Sequence, residues 1–213
     1  MRAGDEPHGP GLCIALGYPD RVARRRSADG AEWISAGGRG FRLDPLSPLA
    51  RAEWLAVAEV QGASAGARIL SAAPLAMEEI ERLFADRIET VRSVRFRPET
   101  GGVEALRQQK LGAITLSSGG DDAPDSAAVI AALMEGVRRG ALDLLPWPER
   151  SKALRLRATF AGIDGLDDDA LLGELDDWLP DLLKGKRRLT DVDPGALASV
   201  LDARLGWDTR KQI

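Results

Sequence analysis

The stretch from Tyr18 to Ala50, YPDRVARRRSADGAEWISAGGRGFRLDPLSPLA, restricts the possible folds more than any other part of the chain. Two short β-type runs, one around Trp33 and Ile34 and one from Phe41 to Leu43, flank Gly37, Gly38, Arg39 and Gly40. Glycine reaches positive φ with no Cβ to clash, so this pattern predicts a hairpin. Asp44-Pro45 and Ser47-Pro48 close the stretch, and an arginine cluster (Arg21, Arg24, Arg25, Arg26) opens it.

Strand-like runs continue after it. Trp54–Gln61 and Ala67–Ala72 lie on either side of a Gly-Ala-Ser-Ala-Gly turn, and Pro74 is expected to break the second run. Met77, Ile80, Leu83 and Phe84 mark one stripe of a short amphipathic helix. Alternation returns at Ile88, Val91, Val94 and Phe96; after the Pro98–Gly102 turn, Val103–Leu116 reads as one long strand. Short strands separated by turns, with one inserted helix, predict a small barrel of the oligonucleotide-binding (OB) type.

The pattern then changes to helical. Ser117–Pro124 reads as a linker-like turn cluster. Asp125 is placed to cap a helix over Ser126–Arg139 that Gly140 stops. Pro146-Trp147-Pro148 makes an elbow, and Arg150–Phe160 follows as a helix with Leu154, Leu156 and Phe160 among its apolar residues. A third helix lies within Asp167–Leu183, where Pro180 kinks or ends part of it. Asp193 caps a last one that has Pro194 at its first position and reaches Leu205 and Trp207. The expected class is therefore α+β, an OB-like β-barrel followed by an all-helical domain. The expected boundaries are 1–17 for a disordered tail and the end of a helix, 18–118 for the barrel, and 119–213 for a helical domain cut short at its C-terminus.

Composition removes several function classes. Cys13 is the single cysteine and His8 the single histidine, so cysteine zinc sites, internal disulfides and histidine-based triads are excluded. Cys13 is expected to be a small buried residue. Asp167, Asp168 and Asp169 read as a helix N-terminus enriched in acid, and Asp121, Asp122 and Asp125 as turn and capping residues. Neither trio is read as a metal site, and no catalytic residue, metal or cofactor is assigned to this chain. There is no apolar run of about 18 residues and no secretory leader, so a cytoplasmic protein with no membrane partner is expected. The net charge of −4 gives no overall attraction to nucleic acid, which leaves local patches to provide any binding.

YPDRVARRR followed by GGRGFRLDPLSPL resembles the segment after the motor and ratchet domains of HrpB-type bacterial DEAH-box ATP-dependent RNA helicases. The similarity continues in order through ARILSAAPL, LFADRIETVRSVRFRPETG, LGAITLS, LLPWPER and LGELDDWLPDLLKG. The resemblance is to the C-terminal accessory region, and it implies the same OB-type barrel. The piece around Leu12–Leu16 would be the tail of the ratchet domain. Intact members use ATP and Mg to drive unwinding, but the phosphate loop and DEAH box of the family have no counterpart here. The sole Gly-Lys pair, Gly185-Lys186, is followed by Arg187. ATPase activity is therefore not expected of this chain alone.

Binding is what remains. The candidate nucleic-acid residues are Arg21, Arg24, Arg25 and Arg26, then Arg39 and Arg42 beside the glycine turn, and Arg92 and Arg95 (with Arg97) on one strand. Such a strip can follow a phosphate backbone, with Tyr18, Trp33 and Phe41 as candidate stacking rings. The expected partners are RNA or another nucleic acid and the helicase motor domains. The arginines could equally form a solvated face or a face on which the motor docks. A protein-interaction module with no nucleic-acid role is the alternative reading.

Overall fold

The computed structural model describes residues 9–62 and 66–205. Its contacts divide the chain into two compact units, one of residues 1–91 and 107–119 and one of residues 92–106 and 120–213. His8, Trp207 and the centre of the 62–66 turn lie outside the described residues.

The first unit opens with α1 (Pro10–Gly17), so Pro10 and Gly11, expected in the loose tail, are helical. A side chain at Gly11 would meet the Pro74 carbonyl, which explains why α1 can lie so close to that strand. Leu12 and Ala15 are buried while Cys13 is exposed, contrary to the expected burial; residues about 100° apart on a helix cannot all face one surface.

Five strands form the closed barrel: β1 (Val22–Arg25), β2 (Glu32–Ser35), β3 (Gly40–Arg42), β4 (Trp54–Gln61) and β5 (Ala67–Leu75). Their order around it is β1-β2-β3-β5-β4, the Greek-key arrangement of an OB-like barrel. The predicted hairpin is β2 with β3, which pair Trp33 with Phe41; Gly38 has a φ of +83° in the turn. β3 pairs β5 in parallel, and antiparallel β1–β4 contacts close the ring.

Alternation along β4 supplies two cores. Leu55 and Val57 face the barrel interior with Trp33, Phe41 and Ile69, whereas Trp54 and Ala56 face a second cluster with Ala15, Ile80 and Ile114. Covering both faces accounts for four consecutive buried residues at the start of the strand. Pro74 does not break β5, which continues to Leu75. Near Pro74 the strand pairs β4, whereas its pairing with β3 is confined to Ala67 and Arg68; a missing N–H is tolerated on such a free edge.

All five barrel strands precede α2 (Met77–Leu83), so the helix follows the barrel rather than interrupting it. The region read as one strand, Val103–Leu116, is two: β7 (Gly102–Leu111) and β8 (Ile114–Gly120), with β6 (Ile88–Arg97) before them. Gly112, at a φ of +56°, makes the reversal between β7 and β8. The three form a separate sheet in the order β6-β7-β8, and β8 takes up much of the stretch read as a linker.

The second unit has α3 (Ser126–Gly136), α4 (Glu149–Phe160), α5 (Asp168–Gly173), α6 (Leu175–Leu182) and α7 (Pro194–Arg204) around one large apolar core. Asp125 and Asp193 cap as expected, accepting the amides of Ala128 and Ala196, and Asp167, read as part of an acid-rich helix start, proves to be an N-cap that accepts the Ala170 amide. The helix begun by α3 continues past Gly136 until Gly140, at a φ of +106°, breaks it, as expected of a glycine stop. The stretch read as a third helix is two, α5 and α6, broken at Glu174, while Pro180 lies inside α6. Of the three apolar residues singled out in α4, Leu154 packs against the core and the other two do not. Leu156 and Phe160 are 60% and 85% exposed, and Ser151 and Ala158 are the buried residues.

Candidate nucleic-acid interface

Most arginines of the opening cluster are committed to the barrel itself. Arg21 donates to the Ala58 carbonyl at 2.9 Å and lies over the Tyr18 ring. Arg24 donates to the Thr115 carbonyl, pairs with Glu53 at 3.0 Å, and stacks on Trp54. Arg25 donates to the Ala50 carbonyl at 3.2 Å. Arg39 folds back over Phe41, with its Nε buried and without a hydrogen-bond partner among the described residues.

Arg26 and Arg42 differ. Both are exposed, and among the described residues neither has an ion-pair partner. Arg26 follows β1, held by its amide on the Glu32 carbonyl at 2.8 Å. Arg42 projects from β3, because Phe41 takes the inward side and neighbouring side chains alternate. Its guanidinium lies close above Gly66, a glycine at a φ of +74°.

Sequence reasoning missed Arg68. The parallel β3–β5 register sets it directly beside Arg42, also exposed and without an acidic partner among the described residues. Nothing local in the sequence announces this, since only the parallel pairing brings positions 42 and 68 together. Arg26 and Arg42 share a shallow cleft of about 190 Å³ with Glu32, Gly40 and Gly66. Glu32 is exposed there and forms no ion pair with Arg42, its register partner, so it opposes an incoming anion. The face can meet a chain of phosphates with three guanidinium forks, each able to donate two parallel hydrogen bonds.

It offers little stacking. Trp33 and Phe41 are 1% and 2% exposed and fill the barrel, leaving Tyr18 as the exposed ring of the three proposed. Arg92 and Arg95 belong to the second unit. Arg92 pairs with the buried Asp121 at 3.5 Å and Arg97 pairs with Glu104, while Arg95 is exposed and without an acidic partner among the described residues. Three residues apart on a strand, Arg92 and Arg95 point to opposite faces. Of the C-terminal basic cluster, Lys184 pairs with Asp181, and Arg187 donates to the Asp122 carbonyl.

Among the described residues no cluster of potential metal ligands occurs, and no helix is long and apolar enough to cross a membrane. Two carboxylates, exposed Asp29 and half-buried Asp167, are held below their usual value. A hydrogen bond from Ser27, then the Ala31 amide, lowers Asp29; the Ala170 amide lowers Asp167.

No protein-family model matches the chain. It is similar to the ATP-dependent RNA helicase HrpB of Escherichia coli strain K12, with 29% identity over 209 residues, 94% of this chain. Two crystal structures share its fold across the full chain at 26% identity. One is of the E. coli DExH-box NTPase HrpB (TM-score 0.53) and the other of the E. coli DEAH/RHA helicase HrpB (TM-score 0.50). The chain spans about a quarter of these relatives: 26% of the HrpB sequence, and 27% and 28% of the two structures. The resemblance read from the sequence motifs is thus matched by both sequence and fold, as a likeness to one region of an RNA helicase.

Proposed function

We propose that this chain is an accessory, RNA-guiding region of an HrpB-like ATP-dependent helicase. Its barrel contacts the phosphate backbone, while ATP and magnesium are handled by the helicase motor domains. The observation that carries the reading is the juxtaposition of Arg26, Arg42 and Arg68 on one outer face, all three without an acidic partner among the described residues. A barrel with a matched surface would have no such excess. The cytoplasm, where RNA is found, is the compartment consistent with this role.

The test is a salt titration of a fluorescent single-stranded oligonucleotide binding to the full chain. Each phosphate contact contributes about 0.7 to the slope of log affinity against log salt. Replacing Arg26, Arg42 and Arg68 together with Ala should lower the slope by about 2. A slope equal to that of the unaltered protein would eliminate this face as the RNA contact. A second reading, docking of a protein partner on the helical unit, is favoured by the exposed Leu156 and Phe160; it predicts that the same triple variant retains its full function.

A further inference from the structure

The arginine cleft of the barrel contains one group that a phosphate contact does not use, the carboxylate of Glu32. Backbone bonds fix where it starts. The Glu32 amide donates to Ser27 Oγ at 2.9 Å, and the Glu32 carbonyl accepts the Arg26 amide at 2.8 Å. Trp33 takes the inward side of β2, so Glu32 points outward beside its register partner Arg42. Opposite charges that face each other across an antiparallel pair ordinarily join. These two form no ion pair among the described residues. The Arg42 side chain leans instead toward Gly66, just before β5, with its Nε 3.5 Å from where a Cβ would stand. Gly40 and Gly66 have no side chain to fill the cleft, and Trp33 and Phe41 lie beneath it. Its volume of about 190 Å³ is below the roughly 300 Å³ from which drug-sized ligands are held, and suits one flat ring.

The mixture of charges is what selects a ligand. Arg26 and Arg42 call for phosphate, but Glu32 repels it and can only accept hydrogen bonds, through two parallel oxygens. A nucleotide meets both demands when its base presents two adjacent donors. Guanine does, with N1–H and the N2 amine side by side on its Watson–Crick edge. Adenine and cytosine place their single amine next to a ring acceptor, and uracil flanks its one N–H with two carbonyls, so each sets an acceptor against the carboxylate. Resting on the reading of this face as the RNA contact, we propose that the cleft takes an unpaired guanine base. Glu32 accepts its N1–H and N2–H, and the phosphates on either side rest on Arg26 and Arg42. Single strands are read in this way, through splayed-out bases hydrogen-bonded on their Watson–Crick edges. Paired, charge-assisted bonds are the strong kind, and a base already paired in a duplex cannot offer them.

The probes are fluorescent oligouridine strands bearing one central guanosine, inosine or adenosine, titrated into the full chain and followed by anisotropy. The guanosine strand should bind about tenfold tighter than the adenosine strand. Inosine keeps N1–H but lacks the N2 amine, and should fall between. Glu32→Gln accepts one donor and opposes the other with its own amide N–H groups. That variant should bind the guanosine and adenosine strands within about twofold of each other. It should also hold the adenosine strand a few-fold tighter than the unaltered protein does, since a repulsive charge is gone; this gain shows that the variant is folded. Equal binding of guanosine and adenosine by the unaltered protein would overturn the base-reading site and leave the backbone contact standing. So would a guanosine preference that survives Glu32→Gln, or inosine bound as tightly as guanosine. The salt slope of the triple arginine variant is read on the adenosine strand, where guanine plays no part; an unchanged slope there would overturn the backbone contact and this site with it.

Discussion

The barrel unit and the helical unit hold comparable numbers of basic residues but use them differently. The barrel unit has equal numbers of acidic and basic residues, so the net charge of −4 falls on the helical unit. Among the described residues, however, the barrel unit has one ion pair, Arg24–Glu53, whereas the helical unit has eight. Three of the eight, Glu135–Arg139, Glu149–Lys152 and Asp181–Lys184, follow from helix spacing at i,i+3 or i,i+4, and the other five join more distant residues, two of them through arginines of β6. Strands alternate their faces and are paired by topology, so a neutral unit can still carry a local excess such as Arg42 beside Arg68. Net charge therefore gives little indication of where an anion would bind on this molecule.

The largest test of that contrast exchanges the two groups. Substituting Arg26, Arg42 and Arg68 with Ala should reduce RNA affinity at least tenfold at low salt and change stability by less than about 1 kcal/mol. Substituting Arg138, Arg155 and Arg204 with Ala should do the reverse, leaving RNA affinity intact and lowering stability by roughly 1 to 3 kcal/mol in urea titrations. Arg155 and Arg204 are only 16% exposed in their side chains, so their pairs with Asp168 and Glu174 are screened less than surface pairs. If both triples weakened RNA binding equally, the division between the units would collapse.

Arg24→Ala sharpens the contrast within the barrel. This arginine stacks on Trp54 and binds the Thr115 carbonyl, so about 1 kcal/mol of stability should be lost with little change in the salt slope. Glu32→Gln removes the carboxylate from the arginine cleft and should raise RNA affinity about two- to fivefold at low salt, read by the same anisotropy titration. The smallest effect concerns the acid side of the helical unit. The Ala170 amide favours ionised Asp167 in the native state, so its folded pKa lies below its unfolded one. Its contribution is complete above the ordinary carboxylate pKa of about 4 and is lost as pH falls through the lowered folded value. Asp167→Ala should therefore flatten, slightly, the acid limb of the stability–pH curve.

Much of the chain was legible because its signals are local. Asp125, Asp167 and Asp193 cap where a short acidic side chain precedes an apolar-periodic run, and the glycine turn between Ile34 and Phe41 could only be a reversal. The likeness to the HrpB region was legible for a related reason: many short motifs occur in a fixed order. Elsewhere local reading failed. Gly112 makes a reversal inside what reads locally as one long strand, Pro74 is tolerated because it lies on a free edge, and nothing local shows that Leu156 and Phe160 stay exposed while Ala158 and Ser151 are buried.

What the sequence determined by itself was composition-limited chemistry, helix starts, turns and the order of strand-rich and helix-rich segments, because each depends on residues within a few positions of one another. Only the tertiary structure decided which arginines are free. Arg21, Arg24 and Arg25 are consumed by carbonyls of Ala58, Thr115 and Ala50, and Arg68 joins Arg42 through a parallel pairing. Those partners lie 25 to 91 residues away, and which of them a guanidinium reaches is set by how the barrel closes and, for Thr115, by where β8 runs.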